Sequence, residues 1–193
     1  MPSVDAIADE YAERSAALDP LLATYAGIAG HDDELPDLSA DGFAERAMLD
    51  RATLAALDTA EAPGSREQVA RTAMQERLGL AVERYDAGDA TSQLNVAACE
   101  VNWVRQVFDV MPIDGEEAAV TIARRMAAVP LAYRQLSETL LSSGRGGCPP
   151  ARRQVEEVAQ QCAAWVKPGE SCYSSLVDRV TGIPDSLRGV LPG

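Results

Sequence analysis

The amino-acid sequence predicts an all-α protein of about nine helices in antiparallel hairpins, and three observations carry that expectation. Alanine fills 33 of 193 positions, whereas Trp, Tyr and Phe together supply nine; the best helix former is abundant and the bulky strand formers are scarce. Apolar residues recur three and four positions apart, and no stretch alternates apolar with polar over a strand's length. Turn-forming residues separate these stretches at short intervals, which favours helices folded back on their neighbours. With no repeat of fixed period and no low-complexity linker, residues 1–193 are expected to form a single helical region.

The elements follow in order. Ser3 can cap a first helix that buries Ile7, Tyr11 and Leu18 and turns Asp9, Glu10, Glu13 and Arg14 to water. Asp19-Pro20 restarts the chain as an N-cap followed by a proline whose missing N–H costs nothing at a helix start; this second helix should stop at Gly27. The stretch from Ile28 to Ser39, with Gly30, His31, Asp32, Asp33, Glu34, Pro36 and Asp37, reads as a polar loop. Ser39 caps the next helix, which carries Phe43, Ala47, Leu54 and Leu57 and breaks at Ala62-Pro63-Gly64. Ser65 with Gln68 has the spacing of a capping box. Behind it, Val69, Ala73 and Leu80, with Met74, Leu78, Ala81 and Tyr85, predict a broad apolar face.

After a polar connection through Ser92 and Asn95, a helix with Val101, Val104 and Phe108 runs to Met111 and ends at Pro112. Asp114 with Glu117 repeats the cap-and-third-residue spacing ahead of 118–129, and Pro130 then predicts a kink or a new helix through Leu131, Leu136, Leu140 and Leu141. Beyond the loop at Gly144–Gly147, Pro149-Pro150 opens a helix with Val155, Val158, Cys162 and Trp165 on one face, closed by Pro168-Gly169. A short helix with Tyr173, Leu176, Val177 and Val180 comes next. A last one starts at Ile183-Pro184-Asp185-Ser186, with Leu187, Val190 and Leu191 to bury before Pro192-Gly193, so the chain is expected to stop just as an element begins.

Charge and composition narrow the function. The net charge is −13 and uneven: residues 1–61 carry −11, 62–123 carry −5 and 124–193 carry +3. A negative chain repels phosphate backbones unless it gathers a Lys/Arg face. The densest pairs, Arg124-Arg125 and Arg152-Arg153, read as solvated faces or as i,i+4 partners such as Arg153 with Glu157, so no nucleic acid is expected as a partner. No stretch approaches the roughly 20 apolar residues of a membrane span. The acidic beginning is unlike an export signal; no membrane and a cytoplasmic location are expected. The four cysteines, Cys99, Cys148, Cys162 and Cys172, form no C-x-x-C pair and are expected as free thiols.

Hydrolytic chemistry finds few parts. His31 is the one histidine, whereas an H-E-x-x-H zinc site needs two imidazoles a helical turn apart. Asp32, Asp33 and Asp37 beside it lack EF-hand spacing and read as turn and cap residues. No G-x-S-x-G is present, and the Gly144-Arg145-Gly146-Gly147 loop lacks the continuation of a phosphate-binding loop. In Trp103–Pro112, Val104 and Phe108 are expected to pack while Arg105 pairs with Asp109. These residues nominate no catalytic residue, no cofactor and no metal ligand; as it stands, the chain is expected not to be an enzyme.

Three stretches carry a family likeness: D-P-L-L-A-T-Y-A-G-I-A-G-H-D-D-E-L-P-D-L-S at 19–39, R-Q-V-F-D-V-M-P at 105–112 and R-R-Q-V-E-E-V-A-Q-Q-C at 152–162. They resemble the amino-terminal part of the bacterial family called domain of unknown function 885, and the likeness extends through V-T-G-I-P-D-S-L at 180–187. The resemblance implies a longer, mostly helical protein whose downstream half carries an H-E-x-x-P-G-H-like motif of zinc-peptidase type. No position here matches that motif, so no ligand or catalytic residue carries over. It further implies an incomplete, truncated helical assembly, whose apolar faces await the missing downstream half. The alternative is an autonomous helical module that binds another protein.

Overall fold

The computed structural model describes residues 2–187, and among them the secondary structure is helical throughout, without a strand. Ser3 and Glu61 touch in a one-residue bridge. The elements are α1 (Val4–Leu18), α2 (Pro20–Ala26), α3 (Ala40–Asp58), α4 (Ser65–Asp86), α5 (Asp89–Ser92), α6 (Glu100–Gln106), α7 (Glu116–Arg145), α8 (Arg152–Trp165) and α9 (Cys172–Val177). A 3-10 turn at Val107–Asp109 prolongs α6, and another covers Asp185–Leu187. Val190, Leu191 and the stop at Pro192-Gly193 lie outside the described residues.

Local chemistry sets most of these boundaries. Ser3 Oγ accepts from the Ala6 amide at 3.2 Å, and Asp19 Oδ1 accepts from Leu21 and Leu22, both at 3.1 Å. With Pro20 at the first helical position, α2 needs no further cap. It ends at Gly27, whose φ of 72° is left-handed and accessible to glycine without a Cβ penalty. Ser39 Oγ accepts from Gly42 at 3.3 Å and starts α3.

Two expected caps differ. Gly64 occupies the N-cap of α4 with no side-chain bond, so Ser65 is already helical and Gln68 instead donates to the Ala62 carbonyl at 3.3 Å. Gly115, at φ 94°, occupies the N-cap of α7, while Asp114 Oδ1 accepts from the Thr181 hydroxyl at 3.1 Å. In both places a glycine lets the chain enter the helix one residue away from the expected cap.

Two apolar clusters organise the packing. Val4, Ile7, Leu57, Ala60 and Leu78 bind α1 to the α3–α4 hairpin. The larger cluster joins Leu21, Leu38, Val104, Phe108 and Met111 to Ile122, Met126, Val129 and Leu136 of α7, with Val158 from α8 and Leu176 from α9. Helix α7 passes through Pro130 unbroken for 30 residues, which removes the new-helix alternative. Pro130 is exposed, and the buried stripe of Ile122, Met126, Val129, Ala132 and Leu136 continues across it. One lost backbone bond is outweighed by packing on both sides. In α4 only the Ala70–Met74–Leu78 side turns inward; Val69, Ala73 and Leu80 share the outer side.

Arg125 departs furthest from its sequence reading. Its side chain is 0% exposed rather than solvated, on the same face of α7 as Ile122 and Val129. Nε donates to the Glu34 carbonyl at 2.9 Å, and Nη2 to the His31 carbonyl at 2.7 Å and Thr24 Oγ1 at 2.9 Å, with Pro20 O at 3.4 Å. Burial lowers its pKa, while Asp32, Asp33 and Glu34 oppose that shift. The neighbouring Arg124 stays outside and pairs with Asp33 at 3.2 Å. On α8, Arg152 rather than Arg153 makes the i,i+4 pair, with Glu156 at 2.7 Å.

The loops close by backbone contact as well. Thr181 N donates to the Ile113 carbonyl at 2.9 Å, and Gly115 N donates to Thr181 Oγ1 at 3.1 Å. Gly182 follows with φ 72°, and a Cβ there would lie 2.8 Å from the Gly115 carbonyl carbon.

Two outcomes test this packing in denaturant titrations. Arg125→Ala, which strands several buried acceptors, should cost on the order of 3 kcal/mol. Gly182→Ala should cost more than about 1 kcal/mol, because a left-handed φ and a close backbone contact both oppose the added Cβ.

Candidate functional site

The acids that stood nearest to hydrolytic chemistry in the sequence have structural tasks, and His31 contributes through its backbone. Asp32 Oδ1 accepts from Thr24 at 2.9 Å, Asp33 holds Arg124, and Asp37 Oδ1 accepts from the Ser39 amide at 2.8 Å. His31 gives its carbonyl to Arg125, and its Nδ1 lies 3.5 Å from Glu34 Oε2. Among the described residues, no three His, Cys, Asp or Glu side chains converge as a metal-holding group. The Gly144–Gly147 loop closes the C-terminal end of α7, where carbonyls rather than amides face outward, the wrong polarity for a phosphate.

Elsewhere the side chains take the places their spacing predicts. Val104 and Phe108 are buried, and Arg105 pairs with Asp109. All four cysteines are free thiols, and Cys99 is fully buried. Burial raises the Cys162 thiol pKa. Among the described residues no helix is long and apolar enough to cross a membrane.

Two concave regions meet at Arg46. A groove of about 470 Å³ runs beneath the 33–37 loop, between Leu18, Pro20, Leu35, Pro36 and Glu45. A smaller cavity of about 250 Å³ opens between α3, α4, α5 and α6, where Asp50, Arg84, Tyr85, Glu100 and Trp103 face one another across an apolar floor of Ala47, Ala81 and Ala90.

The chemistry of the smaller cavity is the more unusual. Glu100 has an Oε2 that is buried without a hydrogen-bond partner, and Arg46 Nη2 is in the same condition. Arg46 Nη1 donates to the Asp37 carbonyl at 2.9 Å, and the guanidinium lies 4.5 Å from the centre of the Phe43 ring. Arg84 is engaged by Asp89 at 2.6 Å. Desolvation raises the Glu100 carboxyl to about 7, against the pull of Arg46 and Arg84. Asp50 is also raised, chiefly by burial, although Tyr11 donates its hydroxyl to Oδ1 at 2.9 Å. Burial pushes Tyr11 itself up to about 12.

Sequence reasoning misses Glu100. An acid in the first turn of a helix is an ordinary complement to the helix dipole, and nothing in Cys99-Glu100-Val101 marks it as desolvated. Arg125 has a readable signal, because it interrupts an apolar stripe that continues on either side of it.

Known proteins supply a family for this arrangement. The family model described as "Bacterial protein of unknown function (DUF885)" matches residues 20–188, and the chain belongs to that family. Comparison with curated proteins gives no match.

The Glu100 environment predicts a pH-dependent stability. Below the ordinary glutamate value of 4.5, folded and unfolded chains both carry the proton; between that value and about 7 only the folded chain keeps it. Stability is therefore lost progressively as pH rises across that window, and above about 7 the folded protein bears a buried charge. Glu100→Gln should melt with the wild type near pH 4 and exceed it by on the order of 3 kcal/mol at about pH 8. Thermal unfolding of both chains across that range measures it.

Proposed function

We propose that this chain is a non-catalytic helical region of a metallopeptidase-like protein. In this reading it supplies the amino-terminal helical walls of a cleft whose zinc-binding residues lie outside this sequence. The observation that carries the reading is the place of the one imidazole. His31 sits on the loop that wraps Arg125, its backbone carbonyl accepting from that guanidinium at 2.7 Å. A zinc grip of H-E-x-x-H type needs two imidazoles on one helical face, and this sequence holds one, on a loop. The membership established over residues 20–188 supports the family setting. The resemblance noted from the sequence supports the zinc-hydrolase setting of its longer members.

The outer side of α4 supports a covering partner. Val69 is 69% and Leu80 50% exposed, and with Ala73 they lie on one side of the helix, with the exposed Glu76 between Ala73 and Leu80. The downstream half of the longer protein would cover this side. The same side favours a second reading, in which the chain is an autonomous helical module that docks another protein through it. A cooperative, monomeric calorimetric transition supports that second reading, whereas dye binding and aggregation support missing coverage.

The purified chain, loaded with zinc and incubated with a mixed peptide pool, should show no cleavage above the metal blank. Turnover that a chelator abolishes would overturn both readings. A reading frame downstream of the Gly193 codon that encodes H-E-x-x-P-G-H, in any phase, would select the first.

A further inference from the structure

The cavity at Glu100 has no part in that proposal, and its chemistry points to a ligand of its own. It is lined by two side chains of opposite charge, Glu100 and Arg46, each of which has a buried polar atom, Oε2 and Nη2, without a hydrogen-bond partner. These two atoms are therefore not bonded to each other, although both residues line the same space. The other polar groups around it already have partners. Arg84 pairs with Asp89, Arg51 pairs with Asp86, and Asp50 accepts from the neutral Tyr11 hydroxyl, so it keeps its negative charge.

The remaining walls are apolar or aromatic. Ala47, Ala81 and Ala90 form the floor, while Trp103, 38% exposed, stands at the edge. A buried donor or acceptor without a partner is costly, so a ligand that satisfies both groups gains twice. An anion alone would meet Arg46 but face Glu100 and Asp50. A cation alone would meet the acids but face Arg46. A hard metal ion takes six or more oxygens, and alanine and tryptophan walls do not supply them.

We propose that this cavity binds a small zwitterion with an apolar side chain, an α-amino acid, its ammonium on Glu100, its carboxylate on Arg46 and its side chain against Trp103 and the alanine floor. A volume of about 250 Å³ fits one such molecule. Paired charges in a half-enclosed, aromatic-edged space are stronger than on an open surface. The site is built from α3, α4, α5 and α6 with Gln93 just after α5, so it stands whether or not the chain belongs to a larger hydrolase.

Calorimetric titration of the full chain with L-alanine, L-leucine and L-phenylalanine, above the pH at which Glu100 releases its proton, tests this. At least one should bind saturably at a single site. Its des-carboxy amine and its des-amino acid should each bind at least tenfold more weakly. Glu100→Gln should lose at least tenfold, whereas Glu138→Gln, the same charge change on the exposed side of α7, should lose nothing. Ala90→Leu, which fills the floor without touching a charge, should block binding, and near-ultraviolet circular dichroism confirms that each variant is folded. No saturation by any of the three amino acids overturns the proposal. So does equal binding of the amine or of the des-amino acid, or a folded Glu100→Gln chain that binds as before.

Discussion

A guanidinium removed from water must find acceptors, and the structure depends on where Arg125 finds them. They come from Pro20, Thr24, His31 and Glu34, about a hundred residues earlier in the chain. The consequence is geometric. Helix α2 and the turn after it cannot drift from α7 without stranding a buried charge, a cost of several kcal/mol. The polar 28–39 stretch, which composition alone would leave free on the surface, is thereby held against the longest helix. The acids of that loop have a second use, since Asp32, Asp33 and Glu34 offset the desolvated cation they surround.

From this clasp the rest of the packing follows. With the loop pinned, Leu38 is delivered to the larger core, and its carbonyl accepts from Thr139 at 2.8 Å. Ser39 is then positioned to start α3, whose far end and partner α4 build the second core with α1. The Glu100 cavity lies where these two parts meet. Arg46, fixed by the Asp37 carbonyl, lines it together with the groove under the loop. The chemistry of the cavity is therefore tied to the clasp through a single arginine.

The sequence is most legible where a side chain bonds its own neighbours. Ser3, Asp19 with Pro20, Gly27 and Ser39 act within three or four residues, so their roles can be read without any tertiary knowledge. The caps expected at Ser65 and Asp114 fail for the complementary reason. A preceding or following glycine offers the backbone another route, and Asp114 is taken by Thr181. Pro130 reads as a break because its local cost is visible and the packing that offsets it is not. Glu100 and Arg46 are silent because desolvation is a property of the assembled helices. The lack of a two-histidine motif, by contrast, is composition, and needs no fold.

The tie between the 113–116 segment and Thr181–Gly182 has one more implication. These bonds join positions 66 and 67 residues apart and close α7, α8 and α9 into one ring of chain. The entry to α7 carries no side-chain cap of its own, and Thr181 Oγ1 instead accepts from the amide of the N-cap residue Gly115, as the third helical residue does in a capping box. Amide protons at the head of the longest helix should thus trade with solvent in step with those of the last turns. Two stretches far apart along the chain would then open and shut as one latch.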